Sequence, residues 1–288
     1  MTDRLRLSHL ALETPDVQRT ARFYSSIVGM ALERESAGRL RLGWGRGHHV
    51  LELVEGAGFD HMAFEVEPAA LARFHDRLAG HGIDAEWREP WGGHARSLTF
   101  ADPDGNIVEL HGPIDRSGEG GSAGALRPVR LHHVTFASAE LQRMVDFYVE
   151  VLGFRISDTM GDEASGDVFT WLRCNEEHHT VAVVRADAAG LDHYALEVAS
   201  WAQLGRWCDE LAARGVPLTW GPGRHGPGNN LFAMFDDVDG RHLELSCEME
   251  RFWDDRASYA RVPRRWAPAP TTVNLWGPVP AWRADVSA

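Results

Sequence analysis

HHVLELVEGAGFDHMAFEV (48–66) and HHTVAVVRADAAGLDHYALEV (178–198) are one pattern written twice. Each starts on a histidine pair and ends in a short alternating run, as a half-buried strand does. The likeness extends outward in both directions. Upstream, LSHLAL (7–12) matches LHHVTF (131–136), and DVQRTARFYSSIVGM (16–30) matches ELQRMVDFYVEVLGF (140–154). Downstream, DPDGNIVEL (102–110) matches DVDGRHLEL (237–245). Matches kept in one order identify duplicated domains.

Within each half the pattern is strand, helix, several strands, then the same again. SWAQLGRWCDELAARG (200–215) has apolar residues at helical spacing and ends on a capping glycine, Gly215. LFAMFDD and RHLELSC read as strands joined by a turn at Asp239-Gly240. The fold class expected is α+β: two tandem domains, each of two βαβββ units whose sheets curl around a central cavity. The domains expected are 1–114 and 129–250, joined by a Gly/Ser-rich linker, 115–128. The tail, 251–288, has no repeat partner. Its prolines disfavour regular structure, and Trp276 and Trp282 ask for apolar cover. It is expected to lie on the second domain as an extended arm or lid.

Composition sets outer bounds. A length of 288 residues suits about two domains. No apolar run reaches the roughly 18 residues of a membrane span, and MTDRLRLSHL does not read as a signal peptide. Cys174, Cys208 and Cys247 form neither a disulfide framework nor a zinc ribbon, so a reducing cytoplasm is expected. A formal charge of −13 argues against nucleic acid and against an anionic membrane as partners.

The chemistry lies in the 15 histidines. His133 and His193 head the opening strands of successive units, and Glu244 stands in the last strand, between Leu243 and Leu245 on the opposite face. Equivalent places in paired units converge on one cavity. Two imidazoles and one carboxylate suit a divalent first-row ion with positions left open. A lone strand histidine is more often a packed, hydrogen-bonded one. Here the opening-strand histidine recurs in every unit (His9, His61, His133, His193) and the glutamate in both halves (Glu109, Glu244).

LHHVTF, GLDHYALEV and DGRHLEL resemble the vicinal-oxygen-chelate superfamily. WGPGRHGPGNNLFAMFDDVDG (220–240) and NLWGPVPAW (274–282) resemble its type I extradiol ring-cleavage dioxygenases. The resemblance covers nearly the whole chain. It implies an Fe(II) enzyme, with Mn(II) as the alternative, that opens a catechol ring beside its two hydroxyls using O₂. His133, His193 and Glu244 match the family's metal ligands, His179 its acid–base histidine, and His225 a histidine near the substrate. Asn229 and Asn230 are read as turn residues. The N-terminal set, His9, His61 and Glu109, matches a site that is usually vestigial in this architecture, and EPWGGHARS (89–97) is a shortened counterpart of the 220–230 loop.

Three substrate-side positions depart from the pattern. Met234 stands where the family often has Tyr, and a thioether donates no proton. Trp220 and Thr135 stand where some homoprotocatechuate-type members have Arg and Asn. Losing that Arg removes a partner for a substrate carboxylate, so an uncharged, bulky catechol is expected. A homo-oligomer is expected. Two other functions stay open: a metal-dependent isomerase or lyase of the same superfamily, and a non-catalytic binder of a small aromatic molecule.

Overall fold

The structure, a computed structural model, describes residues 4–36, 38–45, 49–89, 96–114, 126–253 and 261–283. It falls into two compact units, residues 1–127 with 150–153, and residues 128–149 with 154–288. Residues 115–125 of the expected linker lie outside the described residues.

In the first unit, β1 (Arg6–Thr14), β2 (Ala31–Ser36), β3 (Arg39–Gly43) and β4 (His49–Glu55) form one βαβββ unit around helix α1 (Val17–Phe23). β5 (Gly58–Glu65), β6 (Ala85–Arg88), β7 (Ser97–Ala101) and β8 (Ile107–His111) form the next, around α2 (Pro68–Gly80). The eight described strands make one sheet in the order β2-β3-β4-β1-β5-β8-β7-β6. The two units therefore meet at β1 and β5, which pair antiparallel.

The second unit repeats this plan. β9 (Arg130–Ser138), α3 (Leu141–Asp146), β10 (Arg155–Asp162), β11 (Gly166–Arg173) and β12 (Val181–Arg185) come first. β13 (Gly190–Glu197), α4 (Trp201–Ala213), β14 (Leu218–Arg224), β15 (Leu231–Asp236) and β16 (His242–Cys247) follow. The sheet order is β14-β15-β16-β13-β9-β12-β11-β10-β17, where β17 (Arg264–Trp266) comes from the tail. The expected α+β architecture of tandem, duplicated domains is the one observed.

Local chemistry explains the elements. Ser200 caps α4 by accepting the Gln203 N–H, and Leu204, Trp207 and Leu211 point into the core. Gly215 follows the helix at φ 71°, as its C-terminal stop requires. The helices after β1 and β9 differ from simple helices. Both widen into a π turn, Tyr24–Val28 and Phe147–Val151, where Tyr24 and Tyr148 are wholly buried.

The tail is more regular than its prolines suggest. Arg264–Trp266 pairs in parallel with β10, because the stretch between Pro263 and Pro268 leaves its N–H groups free to donate. Pro270 begins a short helix, α5 (Pro270–Val273), at the position where a missing N–H costs nothing. Trp276 is not covered as expected: it is 53 % exposed, edge-on to Trp201.

Candidate metal centre and active site

His133 on β9, His193 on β13 and Glu244 on β16 come from adjoining strands at the middle of the second sheet. All three are buried, and one ligand atom from each lies within 4.8 Å of the others. His133 Nε2 stands 3.8 Å from Glu244 Oε1, and His193 Nε2 stands 3.7 Å from Glu244 Oε2. An ion about 2.1 Å from each donor would draw neighbouring donors to about 3 Å, a small contraction. The fit has a second sign. Glu244 Oε2 is fully buried yet makes no hydrogen bond among the described residues. A buried carboxylate oxygen left so is costly unless a cation takes it. Burial raises the Glu244 pKa, but the nearby His225 and His193 rings outweigh it and hold the carboxyl below its ordinary value.

Two of the three donors are oriented from behind. His193 Nδ1 donates to Asp192 Oδ1 at 2.5 Å, which leaves Nε2 with its lone pair toward the centre. Asp192 is itself paired with Arg283 from the tail. Glu244 Oε1 accepts from Asn230 Nδ2 at 3.2 Å, and the same amide donates to Ser246 Oγ at 2.9 Å. Asn230 thus does more than shape a turn. Asn229, with φ 52°, is the turn residue of the pair. Asn230, Asp192 and Arg283 were not legible as site residues, because their partners are brought to them only by the fold.

His179 joins this group from the other side of β9. It lies in the loop just before β12, and β12 runs parallel to β9, with β9 between it and β13. That placement sets its ring 4.4 Å from the His133 ring, buried beside the three ligands. Burial and neighbouring imidazoles push its pKa well below the ordinary value, so the ring is neutral. His225 follows β14. Its Nδ1 donates to Val273 O at 2.5 Å, its ring stacks on Phe232 at 3.8 Å, and its Nε2 stands 3.5 Å from Glu244 Oε2.

These groups open on a cavity of about 420 Å³, counting the space at its mouth. Thr135, Trp220 and Met234 are among the residues that line it, and Thr135 Oγ1 stands 3.2 Å from His193 Nε2. Phe169 and Trp171, stacked at 4.2 Å, add an aromatic wall that no motif announced. Lining strands come from both ends of the sheet, so the sheet curls around the cavity.

A family model described as "Glyoxalase/Bleomycin resistance protein/Dioxygenase superfamily" matches residues 6–110 and 130–245. The chain belongs to that superfamily. Metapyrocatechase 2 of Cupriavidus necator is 29 % identical over 268 residues, 85 % of this chain and 81 % of that one. An iron-dependent extradiol dioxygenase of Rhodococcus jostii is 28 % identical, over 80 % and 90 %. The solved Mn(II)-bound glyoxalase from Novosphingobium aromaticivorans superposes with a TM-score of 0.84 at 25 % identity, covering 96 % of this chain and 91 % of that one. Among the described residues no helix is long and apolar enough to cross a membrane.

Proposed function

We propose that the second domain is an extradiol ring-cleaving dioxygenase that opens an uncharged, catechol-type ring beside its two hydroxyls and incorporates both atoms of O₂. One observation carries this reading: two histidines and a glutamate converge at the floor of an aromatic-walled cavity with a neutral histidine beside them. His133, His193 and Glu244 would hold Fe(II), or Mn(II). When bound, such an ion supplies Lewis acidity and open positions for two vicinal oxygens.

The protein's own groups do the rest. Phe169 and Trp171 offer a flat apolar face to an aromatic ring. His179 takes a proton from a catechol hydroxyl and returns it later, since a neutral imidazole accepts before it donates. His225 is fixed by Val273 and Phe232 and presents Nε2 to the Glu244 side of the cavity. Trp220 spends its N–H on Pro278 O at 3.1 Å, so it offers the substrate only its ring. Arg283, the one cation lining the cavity among the described residues, is already paired with Asp192. The lining therefore favours a substrate without a carboxylate.

Catalysis is assigned to 129–250, with 251–288 as lid. A charge of −13 supports a partner that is neither nucleic acid nor an anionic membrane. The protein is taken to be a cytoplasmic homo-oligomer, and light scattering tests its assembly.

Met234 favours a second reading. It offers no acid where the family's ring-cleaving members often carry Tyr, and the superposed glyoxalase shows that this architecture also serves that family. An isomerase or lyase acting on two vicinal oxygens would consume no O₂. The deciding experiment loads the protein with Fe(II) anaerobically, adds a catechol panel, and follows uptake of isotopically labelled O₂ into product. Two labelled atoms per ring-opened product are expected. Turnover without O₂ uptake puts the second reading first.

A further inference from the structure

The geometry points to a second divalent-cation site in the first domain, built by His9, His61 and Glu109, that holds an ion without turning over an aromatic substrate. The three residues lie on β1, β5 and β8, neighbours at the middle of the first sheet. All are buried, and their ligand atoms lie within 4.8 Å of one another. His9 Nε2 and His61 Nε2 stand 3.7 and 3.4 Å from the same oxygen, Glu109 Oε2, and 3.3 Å from each other. The two carboxylate separations are no longer than the 3.8 and 3.7 Å of the C-terminal set and approach the roughly 3 Å that neighbouring donors keep on such an ion.

The surroundings of a metal site are duplicated too. His61 Nδ1 donates to Asp60 Oδ1 at 2.5 Å, as His193 does to Asp192. Asp60 is braced by Arg39 at 3.2 Å, the role that Arg283 plays for Asp192. A carboxylate behind a histidine, fixing its tautomer, is the arrangement that orients metal ligands. The register of β1 with β4 and of β9 with β12 makes His49 the counterpart of His179, and the His49 ring lies 4.2 Å from His9. The bland reading is a buried polar cluster satisfying itself. The group formed by His132, Glu177 and Glu197 in the second domain is such a case, because Arg130 pairs with both of its carboxylates. The His9 set differs in that both histidine Nε2 atoms face one carboxylate oxygen, Glu109 Oε2.

Two arginines define what the site excludes. The strand registers place Arg39, Arg41 and Glu52 where Phe169, Trp171 and Ala182 stand in the second domain. The flat apolar wall is replaced by ion pairs of 2.5 and 2.6 Å on a buried carboxylate. An ion here would tie three central strands together without a seat for a ring.

The test is metal counting on the full chain. Chelated protein is reloaded with Mn(II), gel-filtered and analysed for metal. Wild type should hold two ions per chain, Glu109→Gln one and His193→Ala one, with none in the double variant. Glu109→Gln keeps the side-chain shape, and near-UV circular dichroism confirms its fold. Added Mn(II) should raise the Tm of His193→Ala but not of the double variant. One ion in wild type that Glu109→Gln retains, or no Tm response in His193→Ala, would overturn the site. Two ions without catechol turnover would instead sink the function proposed for the second domain.

Discussion

At the residue scale the question is what His179 does. It lies beside His133 but outside the three-donor set, and its burial keeps it neutral. With Met234 in the position of a family acid, proton traffic falls more heavily on this ring. His179→Ala should keep full metal and near-normal substrate affinity while losing about 10²–10⁴ in kcat, the usual worth of a general acid–base group. Loss of metal would make it a ligand; wild-type turnover would pass the proton to His225. Substrate choice is a second residue-scale matter. Trp220 contributes a ring and Arg283 is committed to Asp192, so kcat/KM should favour an alkyl- or aryl-catechol over a carboxylated one. A preference for the carboxylate would mean that Arg283 leaves Asp192 to bind it. His133, His193 and Glu244 could be read from sequence because duplication aligned them with His9, His61 and Glu109. The groups that orient them could not. Asp192 gains its meaning from Arg283, 91 residues away, and Asn230 from Glu244 across a strand pair.

At the element scale the tail is the part that sequence described least well. Its prolines suggested an irregular arm, but Asp158 makes it a fixed one. That buried carboxylate accepts from Arg264 at 3.1 Å, from Arg261 at 3.1 Å and from Trp266 at 2.8 Å. The glycine-rich loop is its other anchor. A Cβ on Gly223 would come within 2.6 Å of Asn274 Oδ1, and one on Gly226 within 2.6 Å of Thr272 O, so the loop's glycines make room for the arm. Beyond these anchors the arm delivers Val273 and Arg283 to the cavity and stacks Trp282 on His242 at 4.0 Å. Two changes separate lid from brace. Removing residues 270–288 should raise KM, because the cavity loses part of its lining. Arg283→Ala alone should weaken metal binding at the second domain about 10–100-fold, the usual cost of losing a group behind a ligand. Equilibrium dialysis with Mn(II) checks the second. Unchanged affinity would leave Arg283 as lining only.

At the scale of the whole molecule, so many buried ionisable groups make stability a function of pH. In metal-free protein, burial pushes the pKa values of His133, His179, His132 and His178 below the ordinary histidine value. An unfolded chain would protonate these rings near pH 6.5 while the folded one does not. Unfolding therefore takes up protons below that pH, and stability falls as the solution is acidified. Asp158, Asp192 and Glu244 follow at lower pH. Burial pushes each one up, but Asp158's His178 and Arg264, Asp192's Arg283 and His193, and Glu244's His225 hold them below their unfolded values. Their contribution is present above about pH 4 and is lost as pH drops through the folded values. His61 acts in the opposite sense. Burial lowers it, but Asp60 and Glu109 outweigh that and raise it to about 9, so its contribution is complete below about pH 6.5 and is gone above about pH 9. The Tm of chelated protein should accordingly peak near neutrality, fall steeply below about pH 6.5 and fall more gently toward pH 9. Added Mn(II) should flatten the alkaline side, because an ion replaces the proton on His61, and should lose its effect in acid, where protons compete for the same nitrogens. Thermal melts across pH with chelator or Mn(II) measure this directly. A flat acid limb would mean that the buried histidines gain protons without unfolding. An alkaline limb that Glu109→Gln leaves unchanged would take His61 out of the account.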